Sequence, residues 1–342
     1  MNLITLCTKF LHIFPSEISH FIALEGVKAL YSLGLLKFLL INDENCSYKK
    51  NQMENLSKKL KFPNIGNRIG IAAGLDKNGD YIDCLASLGI GFIEVGTVTP
   101  RAQKGNPRPR LFRNNKNKSL VNRLGFNNKG VDHLAEKLRN KKTDIIVGSS
   151  IGKNFDTPNK EAYKDYIYCL EKIYHLSDYI AVNISSPNTK SLRDLSNKEN
   201  LDFLLKHIKS KQKELSSLHG YKPVYLKISP DEEAKGIEEI CNVILENELD
   251  GIICTNTTVN HDNKNGPGGL SGAPLKNLAT EKLLLIKQFV GNELPVMASG
   301  GVMSVSDYQE KLDAGADLVQ LYTGFIYEGP KLINDIIKVD GT

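Results

Sequence analysis

Short apolar runs alternate with amphipathic stretches along the chain from residue 69 onward. The runs are rich in Ile, Val and Leu and begin with little polar alternation, which is typical of parallel strands buried on both faces. The strands predicted in this way span residues 69–75, 92–98, 144–151, 179–185, 224–229, 251–257, 295–301 and 318–324.

The stretches between and after these runs carry apolar residues at helical spacing. They predict helices over residues 79–88, 128–139, 160–175, 200–215, 231–246, 278–290, 304–314 and 329–337.

Eight strands that alternate with eight helices predict an α/β fold, a (β/α)8 TIM barrel. A doubly wound open sheet is the alternative. It is disfavoured because the first strand-to-helix junction, residues 72–79, lacks the G-x-G-x-x-G fingerprint of nucleotide-binding sheets. The interval 99–126 is too long for a plain loop, so we expect it to carry structure of its own.

The first 41 residues show the pattern of two short amphipathic helices with a break at Pro15. Two interpretations stay open: a helical hairpin packed on the barrel, and a segment that lies on a membrane surface. Residues 42–66 are polar and Lys-rich and are interpreted as a linker, which leaves 67–342 as the barrel domain. The apolar positions of the two helices are Leu3, Leu6, Phe10, Ile13 and Phe14, then Ile18, Phe21, Ile22, Leu24, Val27, Leu30 and Tyr31.

The charge of the chain is concentrated near its N-terminus. The 342 residues carry a formal net charge of +5. Residues 1–68 hold nine Lys or Arg and five Asp or Glu, and so account for +4 of it. The nearly neutral barrel argues against a nucleic-acid partner. No apolar run reaches the roughly 20 residues that span a bilayer, and no signal-peptide pattern is present.

The six cysteines are scattered and form no C-x-x-C pair. Neither a zinc ribbon nor an iron–sulfur cluster has this spacing, so no metal site is predicted. The pattern is typical of reduced thiols in a cytosolic compartment.

Polar and glycine residues cluster where the predicted strands end, which is where the active site of such a barrel lies. The seventh and eighth strands end in Gly-rich turns, 299–301 and 322–324, whose backbone N–H groups can bind one phosphate. Side-chain amides and two lysines follow other strands, with no His and no paired carboxylates. Amides suit the edge of a pyrimidine-dione or a flavin ring, and lysine suits a carboxylate or an anionic reduced flavin.

At these residues the sequence resembles the dihydroorotate dehydrogenases, in particular the class 2, quinone-dependent, membrane-associated type. The matching stretches follow the family order along the whole chain. Two features indicate class 2: Ser186 occupies the place of the class 1 cysteine base, and residues 1–41 supply an N-terminal helical extension. The matches include AAGLDKNG (72–79), EVGTVTPRAQKGNPRPRLFR (94–113), NRLGFNN (122–128), IGKNFDTP (151–158), VNISSPNT (182–189), CTNTT (254–258), GGLSG (268–272) and LVQLYTG (318–324).

The resemblance implies oxidation of dihydroorotate to orotate in pyrimidine biosynthesis, with FMN as first electron acceptor and a membrane quinone as second. Ser186 would remove a proton from C5 of dihydroorotate while flavin N5 accepts hydride from C6. Thr189 and Phe126 match the proton-relay and shielding positions. The implied substrate-binding residues are Lys77, Asn122, Arg123, Leu124, Gly125, Phe126, Asn183, Asn188, Asn256 and Thr257.

The resemblance also implies a set of cofactor residues, and Lys227 among them would favour the anionic reduced flavin. His20 and Arg113 match positions that line the quinone tunnel. Two departures stand out: Ser150 replaces the usual Asn and can reach flavin through a water, and the stretch 259–267 is short. The implied FMN-binding residues are Ala73, Gly74, Leu75, Asp76, Lys77, Thr97, Ser150, Asn183, Lys227, Thr255, Gly272, Gly301, Tyr322 and Thr323.

The resemblance places the protein on a membrane surface through its N-terminal helices. We expect a peripheral protein on the cytoplasmic side of a bacterial inner membrane. A mitochondrial inner membrane is disfavoured because no Arg/Ser-rich presequence is seen. Two other functions are weighed. A flavin barrel that acts on another ring, such as a dihydrouridine synthase, would carry a catalytic cysteine and a basic RNA-binding surface. A non-enzymatic membrane-surface binding protein would be colourless.

Overall fold

The computed structural model describes residues 10–36, 50–262 and 266–340. Most of the predicted first helix, with Leu3 and Leu6, lies outside the described residues. So do residues 37–49, which include the first part of the predicted linker, and three residues of the short 259–267 stretch.

Eight parallel strands form a closed barrel; in the order in which they pair, they span residues 69–71, 318–321, 296–299, 251–254, 224–228, 179–183, 146–151 and 92–98. The predicted (β/α)8 barrel is confirmed and the open doubly wound sheet is wrong. Most strands end earlier than predicted, because the polar residues at their carboxyl ends turn away from the ladder to form loops. In chain order the strands are β1 (Ile69–Ile71), β2 (Phe92–Val98), β3 (Leu111–Asn114), β4 (Ser119–Asn122), β5 (Ile146–Ile151), β6 (Tyr179–Asn183), β7 (Val224–Ile228), β8 (Gly251–Cys254), β9 (Gly269–Gly272), β10 (Val296–Ser299) and β11 (Leu318–Leu321).

Helices surround the barrel, and most of them bury an apolar face against it. In the helix over residues 234–246, for example, Ile237, Ile240 and Ile244 repeat at three- and four-residue spacing and are fully buried. The helices are α1 (Ser16–Ser32), α2 (Lys50–Leu60), α3 (Ile82–Ala86), α4 (Val131–Arg139), α5 (Ala162–Ile173), α6 (Lys198–His219), α7 (Ala234–Glu246), α8 (Lys276–Val290), α9 (Val305–Asp313), α10 (Thr323–Glu328) and α11 (Pro330–Asp340).

Helix α2 closes the amino-terminal end of the barrel. Its buried residues Met53, Leu56 and Leu60 form one apolar cluster with side chains from the barrel strands. Just after it, the ring of Phe62 stacks on Tyr179 with 5.3 Å between centroids. The described part of the predicted 42–66 linker is therefore a structural element of the barrel. The division of the chain at residues 66 and 67 stays a prediction.

A second, three-stranded antiparallel sheet has the order β3-β4-β9. The hairpin β3–β4 confirms that the 99–126 interval carries structure. Strand β9 was not predicted. It pairs with β4 through the register Val121 to Leu270, so the segment after β8 is tied to the earlier excursion. This small sheet brings Asn122 and Gly272 to the carboxyl end of the barrel.

Helix α1 packs against the barrel through the buried Leu24 and through polar contacts, and it leaves other apolar residues exposed. The Tyr81 hydroxyl donates to Glu25 at 2.6 Å, and Arg110 Nε donates to Glu17 Oε1 at 3.0 Å. Phe21 is 62% exposed and Leu33, just after the helix, is 69% exposed. Within the described residues, no helix is both long and apolar enough to cross a bilayer.

Candidate active site

One cleft opens at the carboxyl ends of the barrel strands and holds about 930 Å³, including the space at its mouth. Most of the predicted site residues line it: Ala73, Gly74, Lys77, Thr97, Asn122, Leu124, Gly125, Phe126, Asn183, Ser186, Asn188, Lys227, Thr255, Asn256, Thr257, Gly272, Gly301, Tyr322 and Thr323.

Strand ends place these groups because each barrel strand turns into a loop at the same rim. Gly74 shows how tight the packing is. Its φ is +102°, and a Cβ added there would lie 3.3 Å from the Tyr322 ring and 3.7 Å from Lys77 Nζ. Because L side chains rarely adopt a φ of this sign, glycine allows the loop after β1 to pass close to both side chains.

The amide side chains of the cleft hold one another in place. Asn183 Nδ2 donates to Thr97 Oγ1 at 2.8 Å, and Asn256 Nδ2 donates to Ser185 Oγ at 3.0 Å. Asn188 Nδ2 donates to Asn122 Oδ1 at 2.9 Å. These bonds orient the amides, so their remaining donors and acceptors are preorganised for a ring with alternating N–H and C=O groups.

Ser186 lies on the loop after β6 and is buried. Its Oγ accepts a hydrogen bond from the backbone N–H of Asn188 at 3.3 Å. On the same loop, the buried Thr189 Oγ1 has no hydrogen-bond partner among the described residues. The loop thus presents the Ser186 hydroxyl to the cleft. The Thr189 hydroxyl, which does not line the cleft, stays available for a hydrogen bond.

Lys77 is a cleft residue with a strongly lowered pKa. Burial lowers its pKa to about 8, and the nearby Arg110 charge acts in the same direction, while Glu17 opposes both. The ammonium form still predominates at neutral pH, so Lys77 can bind an anionic group there.

Several predicted residues do not line the cleft. Asp76 accepts hydrogen bonds from the backbone N–H groups of Asn78, Asp80 and Tyr81, and so stabilises the turn into α3. Burial raises its pKa to about 6. Leu75, in the same turn, is buried outside the cleft.

Arg123 and Ser150 support the cleft from behind. The Arg123 guanidinium donates to Pro109 O and lies over the Phe112 ring at 4.8 Å, so its side chain points away. Ser150 Oγ is 2.9 Å from Thr97 Oγ1. Ser150 therefore contacts the cleft through Thr97.

The two residues predicted to line a quinone tunnel are His20 and Arg113. His20 belongs to α1, and Arg113 belongs to β3. Burial lowers the pKa of His20 to about 4, with a further effect from the Lys77 charge, so the imidazole is neutral at pH 7. A hydrogen bond from the ring to the Leu75 backbone carbonyl opposes this lowering. Arg113 Nη1 donates to His12 O at 2.9 Å, while its buried Nε has no partner among the described residues.

The model of the family described as Dihydroorotate dehydrogenase matches residues 55–339. This chain belongs to the dihydroorotate dehydrogenase family. The dihydroorotate dehydrogenase (quinone) of Shewanella pealeana is 47% identical over 317 residues, which are 90% of this chain and 93% of that protein. Its namesake in Vibrio parahaemolyticus is 45% identical and spans 93% of this chain and 97% of its own. The crystal structure of DHODH from Eimeria tenella with ferulenol has a TM-score of 0.82 at 30% identity, covering 94% of this chain and 89% of that one.

The predicted family resemblance is thus confirmed. Dihydroorotate dehydrogenases are flavin-dependent enzymes, and the cleft fits a flavin. On its floor, the Lys227 ammonium supplies a cation. The buried Gln320 Oε1 is an acceptor without a partner among the described residues. A flavin ring offers the N–H and carbonyl groups that would complement both.

The opposite end of the cleft fits a phosphate. Gly272, Gly300 and Gly301 have φ angles of +99°, +112° and +80°. A Cβ on Gly301 would lie 2.2 Å from Lys276 Cα, so this turn packs directly on the start of α8. Such turns form concave sites whose backbone N–H groups bind anions.

Some cleft residues escaped the prediction. Ser299, Gly300 and Gly324 belong to the Gly-rich turns that were singled out for phosphate. Gln320 could have been found from the two-residue periodicity of β11, because it follows Leu318 on the same face. Ser271 comes with the unpredicted strand β9. The unassigned lining residues are Ala72, Ser271, Leu275, Val302 and Gln320.

Proposed function

We propose that this dihydroorotate dehydrogenase oxidises dihydroorotate to orotate, with FMN as its flavin and a quinone as the electron acceptor. One observation carries the proposal: a hydroxyl, four amides and two lysines converge in one cleft at the barrel rim. The members are Ser186, Asn122, Asn183, Asn188, Asn256, Lys77 and Lys227. The relatives from Shewanella pealeana and Vibrio parahaemolyticus, which are named dihydroorotate dehydrogenase (quinone), support the choice of quinone.

Dihydroorotate is a cyclic imide with a carboxylate. The amide pairs Asn188–Asn122 and Asn256–Asn183 would bind the ring edges, with Thr257 beside them. Lys77, protonated below about pH 8, would bind the negative charge. The segment 123–126 would cover the ring with its backbone.

A bound flavin would supply the acceptor for the hydride that leaves C6 of the substrate. The chain's own task is then to remove the proton from C5. Ser186 Oγ would take that proton while its own hydroxyl proton passes to the unpartnered Thr189 hydroxyl, which would release a proton onward in turn. Phe126, buried on the cleft wall, would keep bulk water from the reacting carbon.

The FMN ring would lie against Ala73, Gly74, Lys77, Thr97 and Asn183, with Thr255 and Lys227 on its other edges. Gly272, Gly301, Tyr322 and Thr323 would hold the phosphate end. Ser150 would act indirectly, since its hydroxyl bonds to Thr97 Oγ1. FMN rather than a dinucleotide is supported by the single phosphate-binding end of the cleft.

The quinone would approach between α1 and the barrel. His20 bonds to the backbone of Leu75, next to the cleft-lining Lys77, and Arg113 offers an unpartnered buried Nε–H. We propose that the exposed apolar residues of the 10–33 segment lie in the surface of a membrane, the cytoplasmic side of a bacterial inner membrane. The net charge of +4 in residues 1–68 suits an anionic lipid surface.

One assay tests the proposed function. The purified protein should be yellow, and should oxidise dihydroorotate with a soluble quinone faster than with fumarate or NAD⁺. A colourless protein, or a flavoprotein that dihydroorotate does not reduce, would refute the proposal.

A further inference from the structure

A buried polar cluster lies inside the barrel at the bottom of the cleft. We name it the polar floor; it consists of Glu94, Tyr179, Lys227 and Gln320, each on a different strand. Glu94 is fully buried and does not line the cleft, whereas Lys227 and Gln320 do. A buried carboxyl group is costly unless its oxygens are hydrogen-bonded, so its partners define its role.

Three donors surround Glu94. Gln320 Nε2 donates to Oε2 at 2.7 Å, the Tyr179 hydroxyl donates to the same oxygen at 3.2 Å, and Lys227 Nζ donates to Oε1 at 3.4 Å. Burial, reinforced by the Glu94 charge, raises the pKa of Tyr179 well above its usual range, which keeps its hydroxyl protonated. A side chain that accepts at both oxygens has the bonding pattern of a carboxylate.

The carboxylate fixes the orientation of the Gln320 amide. Only the NH₂ side of Gln320 can face Glu94, because a carboxylate accepts and does not donate. Gln320 Oε1 is therefore turned away from Glu94, and it is buried without a partner among the described residues. An unmet buried acceptor is unfavourable, so a ligand in the cleft is expected to supply an N–H group.

The same carboxylate also acts on the cation of the cleft. Lys227 and Gln320 come from β7 and β11, which are not neighbours in the barrel. Glu94 joins them, holds the ammonium group in place, and partly cancels its field toward the cleft.

We propose that Glu94 is a positioning residue that sets the reduction potential of the flavin through Lys227 and Gln320. The inference rests on the proposed function, since it needs a flavin in the cleft. Reduction adds negative charge to the flavin. A carboxylate beneath the site therefore lowers the potential, and its removal raises it.

The test uses the full-length holoprotein and compares Glu94→Gln with Tyr179→Phe. Both changes keep the side-chain shape, but only the first removes a charge. The flavin potential is measured at pH 7 by anaerobic equilibration with a reference dye, without dihydroorotate or quinone. We expect Glu94→Gln to raise the ratio of reduced to oxidised flavin about tenfold or more at a given poise, which is about 30 mV for a two-electron couple. Tyr179→Phe should change it less than threefold.

A second variant, Gln320→Leu, keeps the proposal falsifiable if Glu94→Gln does not fold. It removes the acceptor turned toward the cleft and should weaken flavin binding about tenfold, measured by fluorescence titration of the refilled apoprotein. Flavin-loaded Glu94→Gln with an unchanged potential would overturn the proposal while wild-type dihydroorotate oxidation still stands. So would Gln320→Leu with unchanged flavin affinity. A wild-type protein that binds no flavin would overturn both proposals.

Discussion

The two cleft lysines occupy different electrostatic settings. Lys227 lies 3.4 Å from the Glu94 carboxylate inside the barrel. Lys77 has no such ion pair among the described residues; burial and Arg110 lower its pKa to about 8. We therefore expect Lys77 to make ligand binding depend on pH.

Orotate affinity is expected to fall as pH rises through the pKa of Lys77. The protonated fraction drops roughly tenfold between pH 7 and pH 9 for a group that titrates at about 8, and only that form attracts the carboxylate. The dissociation constant, followed by the change in flavin absorbance, should rise about as much. Lys77→Met should bind orotate weakly at every pH in this range. An equally steep pH dependence in that variant would assign the titration to another group.

Ser186→Ala should leave flavin binding intact and slow flavin reduction by dihydroorotate roughly 10²–10⁴-fold, the usual effect of losing a general base. Ser186→Cys should retain more activity because a thiol also accepts the proton. Anaerobic stopped-flow absorbance separates this half-reaction from quinone reduction. Reduction at wild-type speed in the alanine variant would remove Ser186 from the mechanism.

Single residues also show how far the sequence could be interpreted. Ser186, Lys77 and the amides follow strand ends, and their motifs identified them. Gln320 carried a weaker signal, because a Gln inside a barrel strand is visible only once the inward face of β11 is known. Arg123 lies in a matching motif, yet its side chain turns toward Pro109, a contact set by the small sheet that no local pattern encodes.

Among the elements, the loops after β6, β7 and β8 are joined by one ion pair. Arg193, in the short helix Leu192–Ser196, donates to Asp231 at 2.7 Å and to the carbonyls of Ser185 and Thr257 at 3.0 Å each. Asp231 also accepts from Thr258 Oγ1 and the Val259 N–H. Through these bonds the loop that carries Ser186 is held against the loop that carries Asn256 and Thr257.

Arg193→Lys is expected to lower kcat/KM for dihydroorotate about 10–100-fold while flavin absorbance and Tm change little. A lysine cannot reach three acceptors at once, and a shift of about 1 Å in a reacting group has an effect of this size. The matched control is Arg101→Lys, which alters the exposed Arg101–Asp156 pair and should leave steady-state kinetics unchanged. Equal kinetics in both variants would exclude Arg193 as a positioning residue.

Helix α2 shows why an element can be missed. Its eleven residues are mostly polar, so the segment was interpreted as a linker. Met53, Leu56 and Leu60 nevertheless repeat at helical spacing, and the barrel supplies the apolar end that they cover. The sequence of strand β9 carries an even weaker signal, because its four residues, GLSG, become a strand only by pairing with β4.

Leu60→Ala should lower the free energy of unfolding by about 2–5 kcal/mol, because Leu60 is buried against the barrel interior. Chemical denaturation with equal m-values would measure this. Glu54→Ala, on the exposed side of α2, should change stability by less than about 0.5 kcal/mol. A similar small effect for both variants would mean that α2 does not close the barrel in solution.

For the whole molecule, the barrel was predictable because strand and helix periods alternate regularly, and the site because its residues follow strand ends. The position of the N-terminal segment relative to the barrel was not predictable, because an apolar helix face can pack against either a protein or a lipid surface. The structure shows that the barrel side of α1 is held by the buried Leu24 and by the hydrogen bonds of Glu17 and Glu25. It leaves large apolar side chains exposed on the segment, among them Ile13 at 75% and Phe21 at 62%.

The exposed apolar residues of the N-terminal segment give a prediction for the intact chain. The double variant Ile13→Glu/Phe21→Glu should fold normally, since neither side chain is buried, and should reduce its flavin with dihydroorotate at the wild-type rate. Binding to vesicles that contain anionic lipid should fall by tenfold or more, because two apolar groups no longer enter the bilayer and two negative charges are added. Turnover of a long-tailed quinone in those vesicles should fall with it, while a small soluble quinone should still reoxidise the flavin. The matched control is Leu218→Glu on α6, also highly exposed at 69%. If the double variant binds vesicles and turns over long-tailed quinone as the control does, the exposed face of the N-terminal segment has no part in membrane binding.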